Sequence, residues 1–433
     1  MENNLVSIAK FDDNRESIRQ AVELCDGLKD LKGSDRVLLK PNLVMWDSVY
    51  PFPKYGVITT SVVVEEMVKL LKEYGCSEIT LGEATIDDQE LGSNTKAAFR
   101  GLGYHQLQKK YGLKLIDFND GAFTKTDFGD FSLNIADPVL EADFIINLPV
   151  LKTHSQTKVS LGFKNLKGCL DLKSKIRCHN KHIPLDLFIA RLGEKIAPKL
   201  TVLDGIYSLE RGPIFNGKPH RTDAIIASRD MFSADVVGCQ AMGFEPAEIL
   251  HLKEYASDHG VPLDGSSLRI VGEELKDISK NHEWDWEWNE DNTAPQAFER
   301  LGIKGIYYPK YDHTLCSGCA HMNNIMLVLL LSAYREKPFS GVEYLGGKTT
   351  LSRGGYEKSF LFGNCAIGLN KKNSAIREAV EIKGCPPNVS EVIRALNEHG
   401  IPARMEMYAS YRNMLAEKYK DKPEFKEDHF LME

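Results

Sequence analysis

The sequence predicts an α/β protein: a mostly parallel sheet with helices on both faces, followed by a smaller C-terminal domain built around cysteines. Three observations carry that expectation. Short apolar runs alternate with helix-period segments from Asn14 to Val271. The composition breaks between Glu274 and Pro309, where three of the chain's 4 tryptophans crowd into an acidic stretch. Four of the 9 cysteines then fall in the last third, each near a glycine or proline.

The elements follow in order. Asn14–Leu31 fits a helix, and Arg36–Lys40 is a short apolar run bounded by turn residues, hence a buried strand. In Ser61–Tyr74 the residues Val62, Val63, Met67, Leu70 and Leu71 share one helical face, and Gly75 stops the helix. Strands are expected at Glu78–Gly82, Lys114–Asp117, Asp143–Asn147, Leu200–Asp204, Ala224–Ala227 and Leu268–Val271. Helices fit Leu185–Ile196, Met231–Met242 and Ala247–Asp258. Strands separated by helices in this way feed a parallel sheet.

At 433 residues the chain is too long for one core, so two or three domains are expected. The boundaries read as an α/β domain over 1–273, an acidic Trp-rich linker over 274–302, and a cysteine domain with a charged tail over 303–433. The tail after Tyr411 alternates lysine and glutamate, as a solvated helix or frayed end does. A formal net charge of −7 argues against nucleic acid as partner. The longest apolar run, Ile325–Leu331, is far short of the ~20 residues that cross a bilayer, so no membrane insertion is expected. The N-terminus lacks a basic then apolar leader, which makes the cytoplasm the default. Self-association is compatible with all of this.

In a reducing compartment, grouped cysteines are metal ligands more often than bridges. Cys25, Cys76, Cys169, Cys178 and Cys239 are scattered and read as core thiols. Cys316-Ser-Gly-Cys319 is a tight turn leading into an apolar helix over Asn323–Tyr334, whose positive dipole end favours an anionic cluster. Cys365 follows Phe362-Gly-Asn, and Cys385 lies in Gly-Cys-Pro-Pro387, which looks like the last cluster ligand of hydrogenase small subunits. The expectation is one 4Fe–4S cluster on Cys316, Cys319, Cys365 and Cys385. Structural zinc and unliganded core thiols stay open beside it; zinc ribbons bring two C-x-x-C pairs, and here the second is split.

Ligands of open parallel sheets bind outside the carboxyl ends of the strands. There the sequence places Lys40-Pro-Asn42, Glu83, and Leu148-Pro-Val-Leu-Lys152-Thr-His154. The segment from Lys152 to Arg191 is locally basic. Lys40, Asn42, Lys164 and Asn165 are therefore candidate binders of an anionic small molecule, and Lys152, His154, His182 and Asp204 candidate catalytic groups. For Asp235 two roles stand open, pairing with a pocket lysine or facing solvent. A Rossmann fingerprint and a P-loop are both absent, and no motif demands or excludes a flavin.

Leu39-Lys-Pro-Asn42, Gly82-Glu83, Ile145-Ile-Asn-Leu-Pro149, Leu151-Lys-Thr-His154 and Phe163-Lys-Asn-Leu-Lys-Gly168 follow one another in order. With His182, Leu203-Asp-Gly205, Ala227-Ser-Arg-Asp230 and Asp235, they resemble the family called domain of unknown function 362. The resemblance runs over about Val37 to Gly272. It implies an iron–sulfur protein of anaerobic metabolism, although the family's ferredoxin-type C-x-x-C-x-x-C-x-x-x-C run is missing, which favours a single cluster. The architecture is also loosely similar to the nickel-pincer lactate racemases.

The function expected is an iron–sulfur oxidoreductase whose cluster relays electrons to an anionic substrate, with a ferredoxin-like donor as a suitable partner. Two rivals stand beside it: a cluster-dependent lyase or dehydratase, and a non-catalytic electron-transfer module.

Overall fold

The structure, a computed structural model, describes residues 4–13, 15–212, 214–334 and 338–432. The chain forms two compact units. The first comprises Met1–Ser174, Leu185–Asp285 and Lys418–Glu433; the second comprises Lys175–Pro184 and Trp286–Glu417.

In the first unit the strands are β1 (Leu5–Lys10), β2 (Arg36–Pro41), β3 (Glu78–Glu83) and β4 (Lys114–Asp117). They continue as β5 (Phe123–Asp127), β6 (Ser132–Ala136), β7 (Phe144–Leu148), β8 (Val150–His154) and β9 (Lys158–Val159). The last three are β10 (Leu200–Glu210), β11 (Lys218–Ser228) and β12 (Arg269–Gly272). Its main sheet runs β12-β1-β11-β10-β7-β2-β3-β4, with β8 beside β10 and β9 beside β8. Neighbours from β10 to β4 are parallel, while β11 runs antiparallel to both β10 and β1. The unit is thus α/β with a mainly parallel central sheet. The helix Ser61–Glu73 buries Val62, Val63, Met67, Leu70 and Leu71, the face read from its spacing.

Three expectations change in length or kind. The first helix covers only Glu16–Leu24: Asp26 takes a left-handed φ of 50° and Gly27 N–H closes on Val22 O at 2.8 Å. Strands β10 and β11 are 11 residues each, and only their apolar inner ends were legible. Their outer halves hold polar residues such as Ser208, Glu210, His220 and Thr222, which break the apolar signal. Val150–His154, which the sequence places only beyond the carboxyl end of a strand, is itself a strand, because the chain re-enters the sheet beside β10.

The tail also departs from expectation. After the helix Met405–Glu417 the chain docks on the first unit through aromatic residues hidden among its charges. Phe425 meets Tyr55 at 4.8 Å between ring centroids, Phe430 meets Tyr55 at 5.6 Å, and His429 Nδ1 lies 3.0 Å from the Tyr207 hydroxyl.

The second unit carries a small sheet of β13 (Ile306–Tyr307), β14 (Val342–Gly346), β15 (Lys358–Phe362) and β16 (Ala379–Ile382), in that order and all parallel. The helix Ser317–Ala333 is longer than its sequence pattern, taking in Cys319 and using Cys316 as its N-cap. Among the described residues no helix is long and apolar enough to cross a membrane.

Candidate functional site

The sheet of the first unit reverses its winding between β2 and β7. From β2 the chain moves through Ser61–Glu73 to β3 and on to β4; β7 lies on the other side and neighbours β10. The carboxyl ends of β2 and β7 therefore form the topological switch point, where open α/β sheets bind ligands. Lys40 and Asn147 stand opposite each other in register there, and Glu83 ends the adjacent strand.

These side chains form a closed polar network. Lys40 Nζ donates to Glu83 Oε2 at 2.6 Å and to Pro41 O at 2.8 Å. Glu83 also accepts from Leu43 N–H and Ala84 N–H at 3.0 and 2.8 Å. Lys152 Nζ donates to Asn42 Oδ1 at 2.7 Å and Val57 O at 2.6 Å. Asn42 Nδ2 donates to Asn165 Oδ1 at 2.9 Å, and Asn165 Nδ2 donates to Asn147 Oδ1 at 2.8 Å. Gly168 closes the cover: a Cβ there would stand 2.4 Å from Glu83 Oε1.

Of the candidate residues, the fold thus brings Lys40, Asn42, Lys152 and Asn165 together, but turns them toward one another. Lys40 is 0% and Lys152 1% exposed. Burial pulls the Lys152 ammonium down to about 7; Glu83 pulls it back up and Lys40 pushes it further down. Such lysines hold a fold together before they greet a substrate. The solvent-facing remainder is Lys164 and His154, both half-buried, with His154 Nδ1 accepting from Gln156 N–H at 3.2 Å.

The other candidates go elsewhere. His182 is exposed and belongs to the second unit. Asp204 is buried and accepts from Thr60 N–H, Thr60 Oγ1 and Ile206 N–H at 2.7, 2.8 and 3.1 Å. It therefore fastens β10 to the N-cap of Ser61–Glu73 rather than reaching outward. Asp235 neither pairs with a lysine nor faces solvent. It accepts from Gly162 N–H at 2.7 Å and Phe163 N–H at 2.9 Å, capping the short helix Leu161–Asn165 that carries Lys164 and Asn165. Sequence alone could not find that role, since 73 residues separate donor and acceptor. A cleft of about 450 Å³ opens instead beside β4, lined by Phe99, Arg100, His105 and Asp117 among others.

In the second unit the cysteines gather at one edge. Cys365 follows the carboxyl end of β15 and Cys385 that of β16, neighbouring parallel strands. Asn364, which the sequence reading passed over, joins the two loops: its N–H donates to Gly384 O and its Oδ1 accepts from Gly384 N–H, both at 3.0 Å. Gly384 takes φ 140° there, a conformation that suits glycine. The Cys316–Cys319 turn packs against the same loops. A Cβ on Gly318 would meet Pro386 at 3.0 Å, and one on Gly363 would meet Cys319 Sγ at 3.4 Å.

The Cys319 thiol is held well above its usual value by its hydrogen bond with Cys316, by burial, and by Cys385 and Cys365 nearby. Cys316 is buried, Cys319 half-buried, and Cys365 and Cys385 exposed, whereas the five scattered cysteines are all buried. Among the described residues no three His, Cys, Asp or Glu side chains converge closely enough to hold a single metal ion. Four irons and four sulfides fill a cube, so their ligand sulfurs stand farther apart than those about one ion. The donor set, soft thiolates from three loops at one sheet edge, fits such a cluster.

A family profile described as "Domain of unknown function (DUF362)" matches residues 37–240. The thylakoid-associated protein sll1697 of Synechocystis sp. is 30% identical over 239 residues, covering 54% of this chain and 71% of its own. The lactate racemase apoprotein from Thermoanaerobacterium thermosaccharolyticum superposes with a TM-score of 0.34 and 11% identity. That alignment covers 57% of each chain, and a superposition so distant carries no argument.

Proposed function

We propose, on the premise that this chain belongs to the family of the domain of unknown function DUF362, that it is an iron–sulfur redox protein with one 4Fe–4S cluster. The ligands would be Cys316, Cys319, Cys365 and Cys385. The observation that carries the reading is the gathering of these four cysteines at the carboxyl edge of one small parallel sheet. When bound, the cluster supplies transfer of single electrons.

The chain's own residues would do the rest. Asn364 holds the Cys365 and Cys385 loops together, and Cys316 and Cys319 lie at the N-cap and in the first turn of Ser317–Ala333, whose positive dipole end would favour their thiolates in the cluster. For an oxidoreductase acting on a small anion, Lys164 would bind the anion and His154 would hand over a proton, since both keep a solvent-facing part. A specific observation favours a second reading, an electron-transfer module without a substrate. Lys40, Lys152 and Asn165 spend their polar groups on Glu83, Asn42 and Asn147, and two of the four cluster cysteines are exposed. Residence in the cytoplasm belongs to the proposal, because grouped thiols stay reduced there.

The test is iron, sulfide and zinc content after anaerobic purification, with electron paramagnetic resonance spectra before and after dithionite. Roughly four irons per chain, lost in Cys385→Ala and kept in Cys239→Ala, is the expected result. Stoichiometric zinc without iron would overturn the redox reading. The two readings of function then separate on Lys164→Ala: an oxidoreductase needs more substrate, and a module shows no change in electron exchange.

A further inference from the structure

We infer that the hydroxyl of Tyr344 is a hydrogen-bond donor to a sulfur of the cluster and raises its reduction potential. The inference rests on the cluster reading just proposed. Tyr344 lies within β14 and is 2% exposed. Its ring stacks on Tyr308 with centroids 4.3 Å apart and planes 6° apart, and tilts against Phe362 at 5.3 Å. The two hydroxyls meet different fates. Tyr308 donates to Asn323 Oδ1 at 2.7 Å, whereas the buried Tyr344 hydroxyl makes no hydrogen bond of ordinary geometry among the described residues, its interaction with the Tyr308 hydroxyl beside it falling short of one.

A buried hydroxyl without a partner is costly, and proteins leave few of them. Its position says what it awaits. A Cβ on Gly346 would stand 3.2 Å from this oxygen, and Gly346 is the last residue of β14. Gly346 is in register with Phe362, the last residue of β15, after which the chain turns through Gly363 to Cys365. Gly363 in turn abuts Cys319 Sγ. The hydroxyl therefore points along the strand toward the edge where the cysteines gather. Thiolate and sulfide sulfurs are acceptors with no donors of their own, so they supply what the hydroxyl lacks. A donor to sulfur stabilises the more negative, reduced cluster more than the oxidised one, which is one of the levers on cluster potential.

The experiment compares the full-length wild type with Tyr344→Phe, which keeps the stacked ring. In anaerobically loaded protein, a redox titration followed by electron paramagnetic resonance reads the potential. The variant should retain full iron and shift the one-electron equilibrium about three- to tenfold toward the oxidised cluster, tenfold being 59 mV for one electron. In metal-free protein the same substitution removes an unpaired polar atom and should raise the melting temperature by about 2–4 °C. Full iron with an unchanged potential would overturn the inference. So would an unchanged or lower melting temperature without metal, since the hydroxyl would then have a partner inside the fold. A wild type that takes up no iron at all would instead sink the cluster reading, and this inference with it.

Discussion

Glu83→Gln should destabilise the first unit by about 3–5 kcal/mol, the cost of leaving one member of a buried ion pair alone. The structure sets the conditions for the full cost. Lys40 and Glu83 are 0% and 3% exposed and 2.6 Å apart. Glutamine has the same shape, so packing is kept while the charge is lost. With the amide oxygen in the place of Oε2, the Lys40 ammonium would keep neutral acceptors only: that oxygen, Pro41 O at 2.8 Å and Asn165 Oδ1 at 3.5 Å. Ala84 N–H, which donates to Oε1, would then face an amide NH₂ instead of an oxygen. Gly168 packs directly on the pair, where even a Cβ would stand 2.4 Å from Glu83 Oε1 and 2.8 Å from Lys40 Nζ. Lys40→Met alone should cost a similar amount, because the carboxylate is then unpaired. The double variant buries no charge, so its cost should fall short of the sum by about 2 kcal/mol or more. Urea unfolding followed by circular dichroism, fitted with a separate transition for each unit, measures all three. A Glu83→Gln cost below about 1 kcal/mol, or strictly additive losses, would refute the picture of a closed, charged pair.

Three further outcomes are expected. Asp235→Ala strips the acceptor from Gly162 and Phe163 N–H and should cost about 2–4 kcal/mol; Asp235→Asn should cost less, because burial already pushes that carboxyl up to about 8. Amide exchange at Gly162 and Phe163 reads the cap directly, and unchanged protection would contradict it. With Lys152 at about 7 in the fold, the folded chain binds fewer protons than the unfolded one between pH 7 and the ordinary lysine value, so its stability rises with pH across that window. Between about pH 8 and 9 the stability of wild type relative to Lys152→Met should grow by about 1.4 kcal/mol per pH unit; a flat difference would mean Lys152 stays charged. Phe430→Ala removes a 1% exposed ring packed on Tyr55 and Tyr207, and should cost about 3–5 kcal/mol in thermal unfolding. A freely solvated tail would lose nothing.

Local chemistry is what the sequence by itself determined. Val37-Leu-Leu39 and Phe144-Ile-Ile146 are apolar because strands buried on both faces must be, and the Ser61–Glu73 face follows from a 3.6-residue period. The cysteines and the glycines beside them were legible for the same reason: ligand type and loop conformation are properties of a few adjacent residues. Partnership was decided only by the tertiary structure. Lys40 and Lys152 read as groups waiting for an anion, and the fold gives them Glu83, Asn42 and Val57 O from segments far along the chain. Asp235 became a cap because its helix Met231–Ala241 lies against Leu161–Asn165. Tyr308, stacked upon Tyr344, gives its proton to Asn323, so the Tyr344 hydroxyl gains no donor from it. A polar group's role depends on which donors and acceptors burial leaves within reach, and that is a property of the packed molecule rather than of its neighbours in sequence.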